Sequence, residues 1–327
     1  MPRADFFKGE VDIGVGGKGK GKGKGTALAD HSKYLDPRVL NRVARLNIRA
    51  RTVMEGFVSG LHKSPYHGFS VEFAQHREYT PGDDLRFLDW KVYGRSDRLY
   101  IKQYEQETNL RAYIILDASE SMDYASDNGT KFDYAATIAA SLAHLVMEQQ
   151  DSAGLVLFDR LISKFIHAQC SPQHLRVMVT EMEAQKTTEK TDLGHVLHDV
   201  AERIKHKSLV VLISDLLDKP ETIISGLQHL KHGRHDVIVI HVLDEYEARF
   251  PFDRMTRFDG LEGYPYLIVD PKPLREAYLE EVRKFTNEIR RGCLAQRIDF
   301  VQVTTDQPVD VAISAYLARR LSKRRAK

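Results

Sequence analysis

Asp117, Ser119 and Ser121 lie at alternate positions in Arg111–Met122, Arg-Ala-Tyr-Ile-Ile-Leu-Asp-Ala-Ser-Glu-Ser-Met, so one carboxylate and two hydroxyls fall within five residues. All are hard oxygen donors, a set suited to Mg²⁺ or Mn²⁺ and poor for a soft metal. Two later residues suit the same ion. Leu209–Ile213 is a second apolar run whose extension through Ser214 ends in Asp215, and Thr191, in Lys190-Thr-Asp-Leu-Gly194, adds a third hydroxyl just before a helical pattern. Carboxylates acting partly through water, in a cage made largely of hydroxyls, leave a divalent ion under-neutralised, so that a carboxylate from elsewhere can complete its shell. The competing reading is a strand-ending Asp followed by serines that cap the next helix. Thr191 and Asp215 tip the balance toward the metal.

Positioning such a set requires a sheet. Ala112–Leu116 is long enough for a buried parallel strand, and in an open α/β sheet ligands collect beyond the carboxyl ends of the strands. Phe132–Met147 is apolar on nearly every side, as expected of a helix buried against that sheet. Ala153–Asp159 and Leu161–His167 form a hairpin pattern that adds an antiparallel edge strand. Helical patterns follow near Pro172–Glu183 and Leu193–Ile204, then a helix over Glu221–Leu230, a strand over Asp236–Leu243 and a short added strand over Tyr264–Val269. A helix over Leu274–Ile289, a strand over Ile298–Val303 and a helix over Val309–Leu321 complete a doubly wound, mostly parallel six-stranded α/β sheet. Asp159 and Asp244 also fall at strand ends, but neither has an adjacent Ser/Thr set, and both read as loop or capping residues.

Upstream of the sheet the composition changes. Gly16–Thr26 alternates Gly and Lys, which cannot bury apolar surface, so residues 1–30 read as a disordered basic arm. Residues 31–65 read as a basic amphipathic helix, opened by Asp36 as N-cap and Pro37 at its first turn. Residues 66–110 read as a small β-rich unit, with a turn at Thr80–Asp84. Within it Gly82 supplies turn geometry, Arg77, Arg86, Asp83 and Asp89 can pair, and Trp90, the one tryptophan of the chain, reads as a buried anchor. Residues 323–327 form a basic tail.

Of 327 residues, 48 are Lys or Arg and 46 Asp or Glu, a near balance that does not recommend a nucleic-acid or anionic-membrane partner. The basic ends lack the aromatic interleaving expected of nucleic-acid binding. Cys170 and Cys293 are far apart and form no Cys-x-x-Cys motif, no apolar stretch approaches a membrane span, and no secretory h-region opens the chain; together these features predict a cytoplasmic protein. His229, His232 and His235 fall three apart but bring no complete zinc set.

The series Asp117, Ser119, Ser121, Thr191 and Asp215 resembles, in all five positions and in chain order, the metal-ion-dependent adhesion site of von Willebrand factor A domains. Arg77, Tyr79, Gly82, Asp83, Arg86, Asp89 and Trp90 resemble the signature of the DUF58 family, whose members carry a von Willebrand A-like domain behind such a segment. The resemblance implies that residues 111–322 form that domain and that a bound Mg²⁺ or Mn²⁺ captures a Glu or Asp of a partner protein. It also implies a MoxR-type AAA+ ATPase as partner, the pair acting in protein assembly, maturation or remodelling. Many relatives are membrane-anchored, and this sequence departs from them in lacking a hydrophobic span. The expectation is a binding module and not an enzyme; the signature residues read as structural. The alternative is a Mg²⁺-dependent hydrolase or phosphotransferase in the same cleft. Against it, the motif lacks the second Asp of an Asp-x-Asp phosphotransfer site and has no obvious general base beside it.

Overall fold

Uninterrupted apolar strands alternating with helices leave few ways to bury every face, and the chain adopts one of the commonest. The computed structural model describes residues 7–9, 34–35, 38, 40, 71–81, 83, 85–106, 110–187, 192–260 and 266–325. The chain divides into two compact units, residues 54–110 and the remainder.

In the smaller unit, β2 (Val71–Glu78) and β3 (Tyr100–Gln106) form an antiparallel pair with an irregularity between Phe73 and Gln75. Between them lie a 3₁₀ turn, Leu85–Phe87, and a short helix α1 (Trp90–Ser96). Asp89 caps α1 by accepting the N–H groups of Lys91 and Val92, and its other oxygen lies 2.9 Å from His76 Nε2. Arg77 donates to both oxygens of Asp83 at 2.7 Å, and Asp83 also accepts the Thr80 N–H, which holds its carboxyl below the usual range. The expected Arg–Asp pairing is thus present for Arg77. Tyr79 is half-buried and donates its N–H to the Leu99 carbonyl, Arg86 is exposed, and Gly82 lies outside the described residues. Trp90 is not the buried anchor expected of it. It is 65% exposed and meets Tyr93 edge-on, while Leu88 is buried two positions before it. As the first residue of a helix capped by the inward-facing Asp89, it is turned outward.

The larger unit is built on β4 (Arg111–Asp117), β7 (Ser152–Phe158), β8 (Ile162–Gln169), β9 (Leu209–Ser214), β10 (Asp236–Leu243) and β13 (Asp299–Thr304), with a small separate hairpin of β5 (Ala125–Ser126) and β6 (Gly129–Thr130) after β4. The first six form one sheet in the order β13-β10-β9-β4-β7-β8, every pair parallel except the β7–β8 hairpin at the edge. This is a mixed α/β fold of Rossmann-like arrangement. One face is covered by α4 (Leu193–Arg203), α5 (Pro220–His232) and α7 (Arg275–Ala295), whose Leu197, Ile223, Leu227 and Ile289 join Ile115, Val156, Leu212 and Val239 in a single core. Helix α2 (Lys131–Glu148), flanked by α3 (Pro172–Ala184) and α8 (Val309–Arg325), packs on the strands as well. Small Ala residues at 135, 136, 139, 140 and 143 are buried on α2, which lets it approach the sheet closely.

The short strand expected over 264–269 exists as β12 (Leu267–Val269) but does not join the main sheet. It pairs with β11 (Thr256–Gly260), which in turn pairs with β1 (Phe7–Gly9) at the head of the stretch that reads as a disordered arm. The Gly/Lys tract and most of 31–65 lie outside the described residues. Among the described residues no helix is long and apolar enough to cross a membrane.

Gly154 lies in β7 where the pairing with β8 shifts register. A Cβ there would stand 2.7 Å from the Ile166 carbonyl oxygen and 2.9 Å from both the Ala168 nitrogen and Tyr113 Cδ1. Gly154→Ala is therefore expected to destabilise the protein by about 1–3 kcal/mol, seen as a lower urea midpoint at unchanged slope.

Candidate functional site

The strand order fixes where a site can form. From β4 the chain steps outward to β7 on one side and later fills β9, β10 and β13 on the other, so β4 and β9 flank the crossover crevice at the carboxyl edge of the sheet. Asp117 ends β4 and Asp215 follows β9 directly.

The loop after Asp117 turns through a 3₁₀ segment, Glu120–Asp123. Asp117 Oδ1 accepts the Ser119 N–H at 2.9 Å and Oδ2 accepts the Ser214 hydroxyl at 2.5 Å. Ser119 occupies the N-cap position but makes no side-chain cap; its Oγ lies 3.0 Å from Ser121 Oγ instead. The capping alternative thus lacks its hydrogen bond. Asp117, Ser119, Ser121 and Asp215 are all buried, and Asp117 and Asp215 lie close enough to repel. Burial first, and Asp215 second, push Asp117 up to about 7, against the hydrogen bonds from Ser214 and Ser119. Leu216 adopts a left-handed backbone (φ 60°), with its N–H on Ser214 Oγ, and the Leu217 N–H reaches Asp215 Oδ1 at 3.3 Å. A non-glycine residue in that region carries roughly 1–2 kcal/mol of strain, held in place here by the turn around Asp215.

Four of the five expected residues therefore meet at neighbouring strand ends. Thr191 lies outside the described residues. Sequence reasoning missed three further participants. Ser214, the last residue of β9, binds Asp117. Lys131, at the first position of α2, is wholly buried and donates to Asp215 Oδ2 and to Glu247 Oε1, each at 2.8 Å. Glu247 completes a capping box with Asp244 at the start of α6 (Glu245–Arg249), its other oxygen accepting the Asp244 N–H at 2.9 Å. A signal for Lys131 was available: a cation at a helix N-terminus opposes the macrodipole and needs a specific anion. Burial works to lower the Lys131 pKa, but Asp215 and Glu247 outweigh it and the net direction is upward. Glu247 is itself pushed up, because burial and Asp215 outweigh the help it takes from Lys131. The two 2.8 Å contacts decide in favour of a formed ion pair.

Asp244 accepts from Ser126, Thr305 and the Tyr246 N–H, so it caps α6, and Asp159 closes the β7–β8 turn. His229 Nδ1 lies 2.7 Å from His198 Nδ1. Among the described residues no three His, Cys, Asp or Glu side chains are grouped to hold a metal. The crevice set contributes only two acids of that kind, Asp117 and Asp215, its other donors being hydroxyls. As a donor set it fits a small hard cation: every ligand atom is oxygen, the acids are buried in excess of the one cation beside them, and two hydroxyls face each other without a capping role.

The fold and site thus define a Rossmann-like α/β protein with a buried acid–hydroxyl site at its strand crossover. The chain belongs to the family described as "Protein of unknown function DUF58", which matches residues 75–288. It is 25% identical over 221 residues, 66% of this chain and 68% of the relative, to "Uncharacterized protein Rv1480" of Mycobacterium tuberculosis. Over 101 residues, 31% of this chain and 23% of the relative, it is 32% identical to "Uncharacterized protein YeaD" of Bacillus subtilis. Among solved structures it is similar to the conserved hypothetical protein BatB from Bacteroides thetaiotaomicron (14% identity, 65% of this chain and 100% of that one, TM-score 0.43). It is also similar to an aerotolerance-related membrane protein from Bacteroides fragilis (15% identity, 66% and 100%, TM-score 0.40).

Proposed function

We propose that residues 111–322 form a von Willebrand A-like domain whose crevice binds Mg²⁺ or Mn²⁺ and, through it, an acidic residue of a partner protein. The observation that carries this reading is the pair of buried serine hydroxyls, Ser119 and Ser121, turned toward each other beside Asp117, with Ser119 making no cap to the 3₁₀ turn it precedes. Asp117, Ser119, Ser121 and Asp215 would hold the ion, with Thr191 as the fifth ligand. When bound, the ion supplies a coordination position for a foreign carboxylate. Ser214 and the Ser119 N–H orient the Asp117 carboxylate, and Lys131 and the Leu217 N–H orient that of Asp215. The partner is a MoxR-type AAA+ ATPase or an acidic client, and the pair acts in protein assembly, maturation or remodelling. The role is that of a cytoplasmic binding module without turnover.

Mn²⁺ titrated into the chain and followed by electron paramagnetic resonance is expected to show one site that Asp117→Ala weakens at least about tenfold. A co-expressed MoxR-type ATPase should be retained on the immobilised chain only with Mg²⁺ present and Asp117 intact. Equal Mn²⁺ affinity and equal retention in the variant would overturn the reading. Mg²⁺-dependent turnover of a generic phosphoester that disappears in Asp117→Ala would replace the binding module by a hydrolase.

A further inference from the structure

Arg257 and Phe258, neighbours on β11, face opposite ways, as successive residues of a strand must. Phe258 is buried, stacked on Phe250 with 5.8 Å between ring centroids and edge-on to Phe252 at 5.2 Å. Antiparallel pairing places Leu267 opposite Phe258 on that inner face and Ile268 opposite Arg257 on the outer one. Tyr266, two before Ile268, shares the outer side, where the Arg257 guanidinium lies 4.6 Å from the centre of its ring. Met255 is exposed just before the strand begins. An antiparallel sheet with one face on a core ordinarily turns polar residues outward. Here Met255, Tyr266 and Ile268 are 69%, 61% and 54% exposed. Large apolar side chains grouped on one exposed face mark a surface that a partner covers. Its border is positive: Arg254, Arg257 and Lys272 are exposed, and Arg254 and Lys272 make no ion pair among the described residues. The acids nearby are engaged, Asp253 by Arg275 at 2.8 Å and Asp270 by the Lys272 N–H at 3.2 Å. The small sheet also adjoins the crevice. Phe250, on which Phe258 stacks, ends α6, and Glu247 of α6 accepts from Lys131, which donates to Asp215 as well.

We propose that the outer face of β11 and β12, formed by Met255, Arg257, Tyr266 and Ile268 with Arg254 at its border, is a second contact for the protein whose carboxylate the crevice captures. It receives apolar side chains that are flanked by further carboxylates on the partner's surface. The proposal rests on the reading of the crevice given above and supplies what that reading lacks. A single carboxylate is present on every protein surface, so discrimination between partners must come from contacts outside the crevice. Apolar anchors beside unpaired cations provide it. The far edge of β12 carries no strand among the described residues, which leaves this side of the small sheet open to a partner, while β1 occupies the other side of β11.

The test measures the affinity of the full chain for the purified MoxR-type ATPase of the retention experiment, by biolayer interferometry in Mg²⁺. The double variant Tyr266→Ser/Ile268→Ser is expected to weaken binding at least about tenfold. Both side chains are exposed, so its urea midpoint and its Mn²⁺ affinity should match the wild type. Arg254→Glu is expected to weaken binding at least about threefold at low ionic strength, and the difference should close as salt is raised. Unchanged affinity in either variant overturns the proposal. A double variant that keeps the ATPase but loses binding to phosphatidylserine vesicles, or loses a dimer seen in sedimentation, overturns it too and assigns the face to a membrane or to a second copy of the chain. A wild type that does not bind the ATPase, or that binds it equally after Asp117→Ala, would remove the reading of the crevice and this inference with it. Binding that Asp117→Ala abolishes and the double variant leaves intact would remove this inference alone.

Discussion

Lys131→Met is expected to lower the unfolding free energy by about 3–5 kcal/mol in chelator at pH 8, because removing one partner of a buried ion pair strands the other charges. Methionine preserves most of the volume of the lysine stem, so the loss reports electrostatics more than packing. Its pH dependence follows from the direction of the shifts. Glu247 is pushed up even with the ammonium present, and without it faces burial and the neighbouring Asp215 charge uncompensated. A carboxyl whose folded pKa lies above its unfolded value keeps its stability at low pH and loses it as pH rises through the folded value. The deficit of the variant should therefore be large at pH 8 and shrink toward pH 5. Urea unfolding of wild type and variant at the two pH values measures it. A deficit equal at both would assign Lys131 a packing role.

What the sequence made legible, and what it hid, divides along the range of the interactions. Asp117 and Asp215 could be read because a strand buried on both faces is a pure apolar run, so an acid at its end marks the rim of the sheet. The long helix from Lys131 to Glu148 was equally plain from its apolar surface. The partners of Lys131 were not: a cation at the start of a helix signals a need for an anion, but those anions lie 84 and 116 positions away. Glu247 was masked by a local role, for a capping box explains an acid at that position without any distant partner. Trp90 misled for the converse reason: its bulk suggested burial, but the cap formed by Asp89 fixes the helix so that the indole points outward. The segment ending at Val269 was recognisable as a strand, but its membership of a separate sheet depends on pairing with Thr256–Phe258, which alternation alone cannot specify.

His241→Leu is expected to stabilise the protein, and to do so more in acid than in base. His241 lies in β10 opposite Ser214 and Gln302, packed near Phe300, and neither ring nitrogen makes a well-formed hydrogen bond among the described residues. Burial pushes its pKa down to about 4, with nearby Asp215 pulling the other way and being outweighed. Between the folded value and the unfolded value near 6.5 the unfolded chain binds the proton and the native state does not, so stability rises with pH across that window and is lost as pH falls through it. By pH 5 the wild type should have lost about 2 kcal/mol to this residue. Leucine cannot take up the proton and leaves no nitrogen unpaired, which adds about 1 kcal/mol at every pH. The variant should accordingly unfold about 1 kcal/mol later than wild type at pH 8 and about 3 kcal/mol later at pH 5, read from urea midpoints in chelator. Because Asp215 directly follows Ser214, the residue of β9 paired with His241, the same experiment repeated with Mn²⁺ probes the crevice. An ion held by Asp117 and Asp215 must displace the proton that burial favours on Asp117, so the wild type should gain more from Mn²⁺ at pH 8 than at pH 5, and the leucine variant should show the same difference, since His241 is already mostly unprotonated in the native state at both pH values.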